Sequence, residues 1–199
     1  MNLIIDPLPE TVIINDRVYD IRTNFRISIL FELMMQDDEM SDEEKARQAL
    51  YLYYPEIPPD PQKAAEMAIW FYRCGKELKN LPQGSGSGEK QPQAYSFEHD
   101  ADYIYSAFLS QYGIDLAEIE YMHWWKFRAL FKSLKEDNEF VRIMGYRTMN
   151  ITSKMSREQK DFYKRMQKVH ALPRSEKEQQ DEAAILEALK NGGDLAGIL

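Results

Sequence analysis

The residues that most often carry out chemistry are few and widely separated in this sequence. None of the three histidines belongs to a closely spaced set of metal ligands of the H-E-x-x-H kind. Glu98, Asp100 and Asp102 form a small acidic cluster whose oxygens would suit a hard cation. On a helix, however, Asp100 and Asp102 point to different sides. We therefore interpret the cluster as a solvated first turn whose charges complement the helix dipole.

Motifs for nucleophiles and for phosphate binding are also missing. The single cysteine, Cys74, excludes an internal disulfide, and its place beside Trp70 and Phe71 in a helical pattern predicts a buried, inert thiol. The Gly-Ser run at 84–88 lacks both a preceding strand and the lysine of a P-loop, and no G-x-S-x-G elbow occurs. The sequence thus predicts no catalytic residue, cofactor or metal, and we expect the protein not to be an enzyme.

The aromatic residues that must organise the fold are concentrated between Tyr95 and Leu134. Helical spacing begins after Ser96 and stops at Gly113, a residue type that favours the left-handed end of a helix. Asp115, with Glu118 three residues later, predicts the start of a second helix after a tight turn. That second helix carries an apolar stripe at spacings of three, four and three: Trp124, Phe127, Phe131 and Leu134.

Two interpretations of the adjacent tryptophans remain open. The favoured one places the stripe at the centre of the core, with Trp125 at its margin. In the other, Trp124 and Trp125 point about 100° apart on the helix, so that one serves the core and the other a partner surface, where aromatic residues are enriched.

A β-hairpin is predicted near the N-terminus. Two short β-branched runs, 11–14 and 17–21, flank Asn15-Asp16, a pair that tolerates positive φ. Because a lone hairpin is marginally stable in water, it must either pack on helices or pair with another chain. The second possibility would make Ile13 and Val18 interface residues.

Five further helices are predicted from their capping signals. Asn24, Ser41 with Glu44, and Asp60-Pro61 open three helices, of which the second ends at Tyr54-Pro55 and the third runs through Cys74 to Gly75. Asn138 and Ser156 with Gln159 open two more beyond the aromatic stretch.

The fold class is therefore mainly α, with a small N-terminal β-hairpin packed on a multi-helix bundle. Residues 80–94 are rich in Gly, Ser, Gln and Pro and predict a flexible linker between two helical halves. The expected organisation is a hairpin with three helices at 1–79, the linker at 80–94, a central helical half at 95–172, and a detachable amphipathic helix at 173–199. That last helix, bearing Ile185 and Leu189, either docks into a partner or folds back on its own core.

Charge is distributed unevenly along the chain. Residues 1–125 contain ten Lys and Arg against 22 Asp and Glu, residues 126–174 contain 13 against five, and residues 175–199 contain two against six. The basic residues of the middle segment lie among helix-spaced apolar residues, so nucleic acid is not the expected partner. We expect them to face acidic surfaces of the same chain or of a neighbouring copy. No apolar run approaches the length of a membrane span and the N-terminus does not resemble a signal peptide, which predicts a cytoplasmic location.

Several strings resemble the bacteriophage gene-product-fifteen family of long-tailed phages and prophages of Gram-positive bacteria. They are YDIRTNFR at 19–26, LYYP at 52–55, IPP at 57–59, IWFYRCG at 69–75, DADYIY at 100–105 and HWWKFR at 123–128. The resemblance covers about residues 10–172, and its tryptophan-rich string is the most specific part.

That resemblance implies a gene between those of the major tail protein and the tape-measure protein, the position of tail assembly chaperones. Such chaperones hold tape-measure helices soluble until tail-tube subunits polymerise around them. The implied partners are the tape-measure protein, other tail assembly proteins and further copies of the chain, in the host cytoplasm. The alternative is a minor structural component retained in the virion. The residues expected at a partner interface are Trp124, Trp125, Phe131, Ile13, Val18, Ile185 and Leu189.

Overall fold

A computed structural model describes residues 3–76 and 92–173 of the chain. These residues form one two-stranded antiparallel hairpin and seven helices, so the fold is mainly α as predicted. In chain order the elements are β1 (Thr11–Ile14), β2 (Arg17–Asp20), α1 (Phe25–Gln36), α2 (Asp42–Tyr53), α3 (Pro61–Tyr72), α4 (Ala101–Tyr112), α5 (Trp124–Lys132), α6 (Glu139–Thr148) and α7 (Arg157–Val169).

The hairpin has two different faces. Asn15 and Asp16 both adopt positive φ, 50° and 60°, which gives the tight two-residue turn that matches strand twist. Val12 and Ile14 of β1 are buried and pack toward α3. Ile13 and Val18, which are paired across the strands, are each 66% exposed on the opposite face. The hairpin is therefore attached to the helices by one face and presents the other to solvent.

The predicted capping residues open the helices as expected. The side chains of Asn24, Asp60 and Asn138 each accept a hydrogen bond from a backbone N–H in the first turn. Ser41 with Glu44 and Ser156 with Gln159 form complete capping boxes. Such bonds satisfy N–H groups that have no partner inside the helix, which is why these boundaries follow from local sequence.

The predicted start of the second central helix is wrong. Asp115 caps only an isolated turn, in which its carboxylate accepts the backbone N–H of Ala117 and Glu118. The helix α5 begins at Trp124 instead, with His123 as its N-cap. The preceding segment is held extended because Phe25 N–H donates to Met122 O and Trp124 N–H donates to Thr23 O. Residues 113–123 are thus a long connection rather than a tight turn.

The end of α3 also differs from the prediction. The helix stops at Tyr72, and Cys74 adopts a left-handed conformation with φ 57° instead of continuing it. Cys74 N–H donates to Phe71 O and Gly75 N–H to Trp70 O, the two bonds of a Schellman motif. This motif turns the chain directly toward α5.

Both halves contribute to one continuous core. The buried cluster includes residues of the hairpin and α1–α3 together with residues of α4–α6. Its largest fully buried side chains are Trp124, Trp125, Tyr53, Tyr54, Phe71, Phe108, Phe127 and Phe140. Most of the predicted linker at 80–94, and the whole of the predicted C-terminal helix with Ile185 and Leu189, lie outside the described residues.

Two glycines with positive φ allow a matched stability test. Gly75 has φ 74° and an added Cβ would lie 2.9 Å from Trp125 Cη2, whereas Gly113 has φ 65° and nothing within 4 Å. We expect Gly113→Ala to cost about 1 kcal/mol from backbone strain alone. Gly75→Ala should cost roughly 2 to 3 kcal/mol, because crowding against the indole is added to the strain. Urea denaturation of the two variants measures the difference, and equal losses would contradict the close approach.

Candidate functional site

The tryptophan-rich string lies inside the protein. Trp124 is 0% exposed, Trp125 1% and Phe131 6%, so the expectation that Trp125 lies at the margin of the core is wrong. The side chains of these three residues have almost no surface on which a partner could rest in this conformation. The favoured interpretation, which places the stripe at the centre of the core, is confirmed, and the three candidate interface residues are buried with it.

The two tryptophans form a cap for the C-terminal end of α3. The indole Nε1–H of Trp124 donates to Tyr72 O at 2.7 Å, and that of Trp125 donates to Phe71 O at 2.7 Å. The last carbonyls of a helix have no partner within the helix. Here Trp124 supplies a partner for Tyr72 O, and Trp125 adds a further donor to Phe71 O, which also accepts Cys74 N–H. Trp124 stacks on Tyr72 at 5.5 Å between ring centroids. We call these two hydrogen bonds the tryptophan cap.

His123 adds a third link between distant segments. Its Nδ1 accepts the backbone N–H of Trp125, while its Nε2 lies 3.1 Å from Pro9 O. Because a carbonyl can only accept, the neutral ring carries its proton on Nε2. Burial lowers the pKa of His123, although the bond to Pro9 O opposes that effect.

The depressed pKa of His123 predicts a stability that falls on acidification. Above about pH 6.5, the ordinary pKa of histidine, the ring is neutral in both folded and unfolded chains. Below it the unfolded chain binds the proton more readily, so the free energy of unfolding decreases until the folded ring also titrates.

His123→Asn keeps a capping side chain without the titration. Urea denaturation at several pH values should therefore show a smaller loss between about pH 7 and pH 5 in the variant than in the parent protein. An identical loss in both proteins would refute the contribution of His123.

A buried ion pair replaces the solvated acidic turn predicted around Asp100. Asp100 is 1% exposed, and its two carboxylate oxygens accept Arg147 Nη1 and Nη2 at 2.6 and 2.8 Å. Asp100 also accepts the backbone N–H of Ser96. Only Glu98 and Asp102 are exposed as expected.

Arg147 binds further groups besides Asp100. Its Nε donates to His170 O at 2.6 Å, and Nη1 also contacts Ala94 O at 3.2 Å. One guanidinium therefore joins the segment before α4, the start of α4, α6 and the residue after α7. Sequence reasoning missed this residue because 47 positions separate it from Asp100.

The polar and titratable side chains of these segments serve the packing of the core. Within residues 3–76 and 92–173, no group of three or more His, Cys, Asp and Glu side chains is placed to hold a metal ion. Cys74 is partly buried, and burial raises the pKa of its thiol, which disfavours the reactive thiolate. Every fully buried side-chain nitrogen or oxygen in the described part has a hydrogen-bond partner. These residues form the connections of a rigid core.

The most exposed aliphatic side chains lie near the N-terminus. Ile4 is 94% exposed and Ile5 77%, followed by Ile13 and Val18 at 66% and by Val169 at 65%. Four of these five precede residue 19, and Ile13 and Val18 form a cross-strand pair on the outer face of the hairpin. We call that pair the hairpin face. Among the residues of the predicted interface that the structure describes, this pair lies on the surface.

A shallow apolar groove runs between α2 and α3. Its volume is about 540 Å³, and its apolar lining includes Leu50, Ala65 and Ile69. Arg47 and Glu66 stand at the same groove. No helix among the described residues is long and apolar enough to cross a membrane.

Comparison with known proteins gives one match. A protein-family model described as "Bacteriophage Gp15 protein" matches residues 4–172 of the chain. No curated protein matches the chain, and no solved structure does. The matched range contains the hairpin, all seven helices of the described structure, the tryptophan cap and the Asp100–Arg147 ion pair.

Proposed function

The chain belongs to the bacteriophage Gp15 protein family and is thus a phage structural or morphogenesis protein; from this premise we propose that it is a tail assembly chaperone. In this proposal it binds the tape-measure protein in the host cytoplasm before tail-tube subunits polymerise. It acts by binding alone, without cofactor or catalytic residue. Other tail assembly proteins are further candidate partners.

The observation that supports this proposal is the hairpin face. A chaperone that keeps an apolar client soluble needs exposed apolar surface that the client can cover. Ile13 and Val18 are aliphatic, two-thirds exposed and fixed on a hairpin whose other face is packed on the helices. Their position on a rigid element means that little ordering entropy is lost when a partner binds.

Co-expression with the tape-measure protein of the same phage tests the proposal. The parent chain should recover soluble tape-measure protein in an affinity pull-down, and Ile13→Asp with Val18→Asp should reduce that recovery about tenfold or more. The basis is that each 1.4 kcal/mol of lost binding changes affinity tenfold, and two charges would be placed in an apolar contact. Circular dichroism must show that the variant is folded.

Val169→Asp is a matched control because Val169 is as exposed as the hairpin pair but lies at the end of α7. It should recover the client as well as the parent chain does. A tape-measure protein that stays insoluble with the parent chain would refute the chaperone role. Detection of this chain in purified virions by mass spectrometry would instead favour a minor structural component.

A further inference from the structure

The last described helix has two contrasting faces. In α7 the apolar residues Phe162 and Met166 lie on the side that packs on α6, where Phe162 contacts Tyr146 at 6.0 Å between ring centroids. Because each residue of an α-helix is rotated by about 100° from the one before it, basic residues lie together on the opposite side of α7. We call them, together with Lys154 just before the helix, the basic face: Lys154, Arg157, Lys160, Lys164 and Lys168.

The basic face has almost no acidic partner within the described residues. Only Arg157 makes an ion pair, with Asp161 on the same helix at 3.9 Å, and both side chains are strongly exposed. Lys160 donates to the backbone oxygen of Ser153. Lys164 and Lys168 are exposed and form no ion pair with any residue in 3–76 or 92–173. Four positive charges on one side of a helix repel one another unless an acidic surface compensates them.

A surface of opposite charge lies between α1 and α2. Six of the eight residues from 37 to 44 are acidic, and all six are exposed: Asp37, Asp38, Glu39, Asp42, Glu43 and Glu44. We call this segment, which joins α1 to α2, the acidic turn. The carboxylates of Asp38, Glu39, Asp42 and Glu43 accept no hydrogen bond and form no ion pair with other described residues.

The two patches form no ion pair with each other within the described part of one copy. The helix α2 packs on α1 and α3, whereas α7 packs on α6. We propose that the basic face of α7 binds the acidic turn of a second copy of this chain. A nucleic acid is a poorer partner because the chain has a net charge of −8 and its first 125 residues repel phosphate.

The proposed contact joins two different patches. Each copy would therefore use its basic face toward one neighbour and its acidic turn toward another. Such a heterologous contact propagates into a ring or an open chain of subunits instead of stopping at a symmetric dimer. The inference does not depend on the tape-measure protein as client.

Multi-angle light scattering of the full-length protein tests the contact. At about 0.1 M salt, where the Debye length is about 10 Å, the parent protein should exceed the 23.4 kDa of one chain. At about 1 M salt, where the Debye length is about 3 Å, the measured mass should fall toward that of one chain. A parent protein that is monomeric at both salt concentrations overturns the proposal.

Charge reversal identifies the two surfaces. Lys164→Glu with Lys168→Glu, and separately Asp38→Lys with Glu39→Lys, should each give the mass of a single chain. An equimolar mixture of the two variants should recover the larger mass, because each reversed patch then meets a complementary one. The control Lys126→Glu with Lys135→Glu makes the same change of net charge as the Lys164 and Lys168 variant, on other exposed lysines, and should retain the parent mass.

Three further results would overturn the inference. Variants of the basic face that keep the parent mass would show that this face makes no contact between copies. Failure of the mixture to recover the mass would assign the face to another partner, such as the acidic segment at 175–182 of the same chain. If the basic-face variant kept the parent mass but lost binding to a duplex DNA oligonucleotide, the basic face would be assigned to nucleic acid.

Discussion

Replacement of Arg147 by alanine is expected to lower the free energy of unfolding by about 3 to 5 kcal/mol. The change leaves the carboxylate of Asp100, which is 1% exposed, without its bidentate partner. It also removes the donors that bind His170 O and Ala94 O. A charge that stays buried after its partner is removed accounts for a cost of this size. Urea denaturation followed by circular dichroism measures it.

Two further variants separate burial from charge. Arg157→Ala removes the guanidinium of the exposed pair with Asp161 and should cost no more than about 0.5 kcal/mol. Arg147→Lys retains the charge but loses the planar guanidinium, so its loss of stability should lie between those of Arg147→Ala and Arg157→Ala. Should Arg147→Ala and Arg157→Ala prove equally stable, the ion pair would not hold α4 and α6 together.

Trp125→Ala is expected to cost about 3 to 5 kcal/mol. The residue is 1% exposed and contacts Trp70 and Phe71 at 5.5 and 5.8 Å between ring centroids. Its loss leaves a large cavity and removes the indole donor from Phe71 O. Thermal or urea unfolding of the purified variant measures the effect.

Conservative variants keep this prediction testable if the alanine variant does not fold. Trp125→Phe retains a buried ring but removes the indole donor from Phe71 O, which still accepts Cys74 N–H, so we expect a loss of about 0.5 to 1.5 kcal/mol. Tyr51→Ala truncates an aromatic side chain that is 58% exposed and should change stability by less than about 0.5 kcal/mol. A marginal loss of stability in Trp125→Ala would contradict the tryptophan cap and would indicate that Trp125 lies on the surface.

The parts of the fold that follow from neighbouring residues were predictable from the sequence. The hairpin turn at Asn15-Asp16, the caps at Asn24 and Ser41, and the helix end at Gly113 each depend on contacts within about four positions. Capping bonds and positive φ are local properties. The family resemblance, which is confirmed over residues 4–172, likewise rested on short strings of neighbouring residues.

The parts that were missed depend on residues far apart in the chain. His123 becomes the cap of α5 because Asn24 and Thr23 pair with the strand-like segment before it, about 100 positions away. Asp100 is buried because Arg147 reaches it from α6. A local capping rule therefore assigned the helix start to Asp115, and a local charge rule assigned Asp100 to solvent.

The candidate interface shows the same division. The sequence named Ile13 and Val18 as interface residues only for the case that the hairpin pairs with another chain, and the structure has both exposed on the face that does not pack on the helices. No local pattern distinguishes a tryptophan that binds a partner from one that caps another helix. The carbonyls of Phe71 and Tyr72 are 54 and 52 positions from the indoles that bind them.

That separation has a consequence during synthesis on the ribosome. When Tyr72 has left the exit tunnel, the residue that must cap its carbonyl is 52 positions behind it. At a translation rate of about 5 to 20 residues per second, roughly 3 to 10 s pass before the two indoles that bind the C-terminal end of α3 emerge. During this interval the apolar side chains of α1, α2 and α3 lack the aromatic layer that covers them in the finished protein. During this period the nascent N-terminal half exposes apolar surface, a condition that favours aggregation.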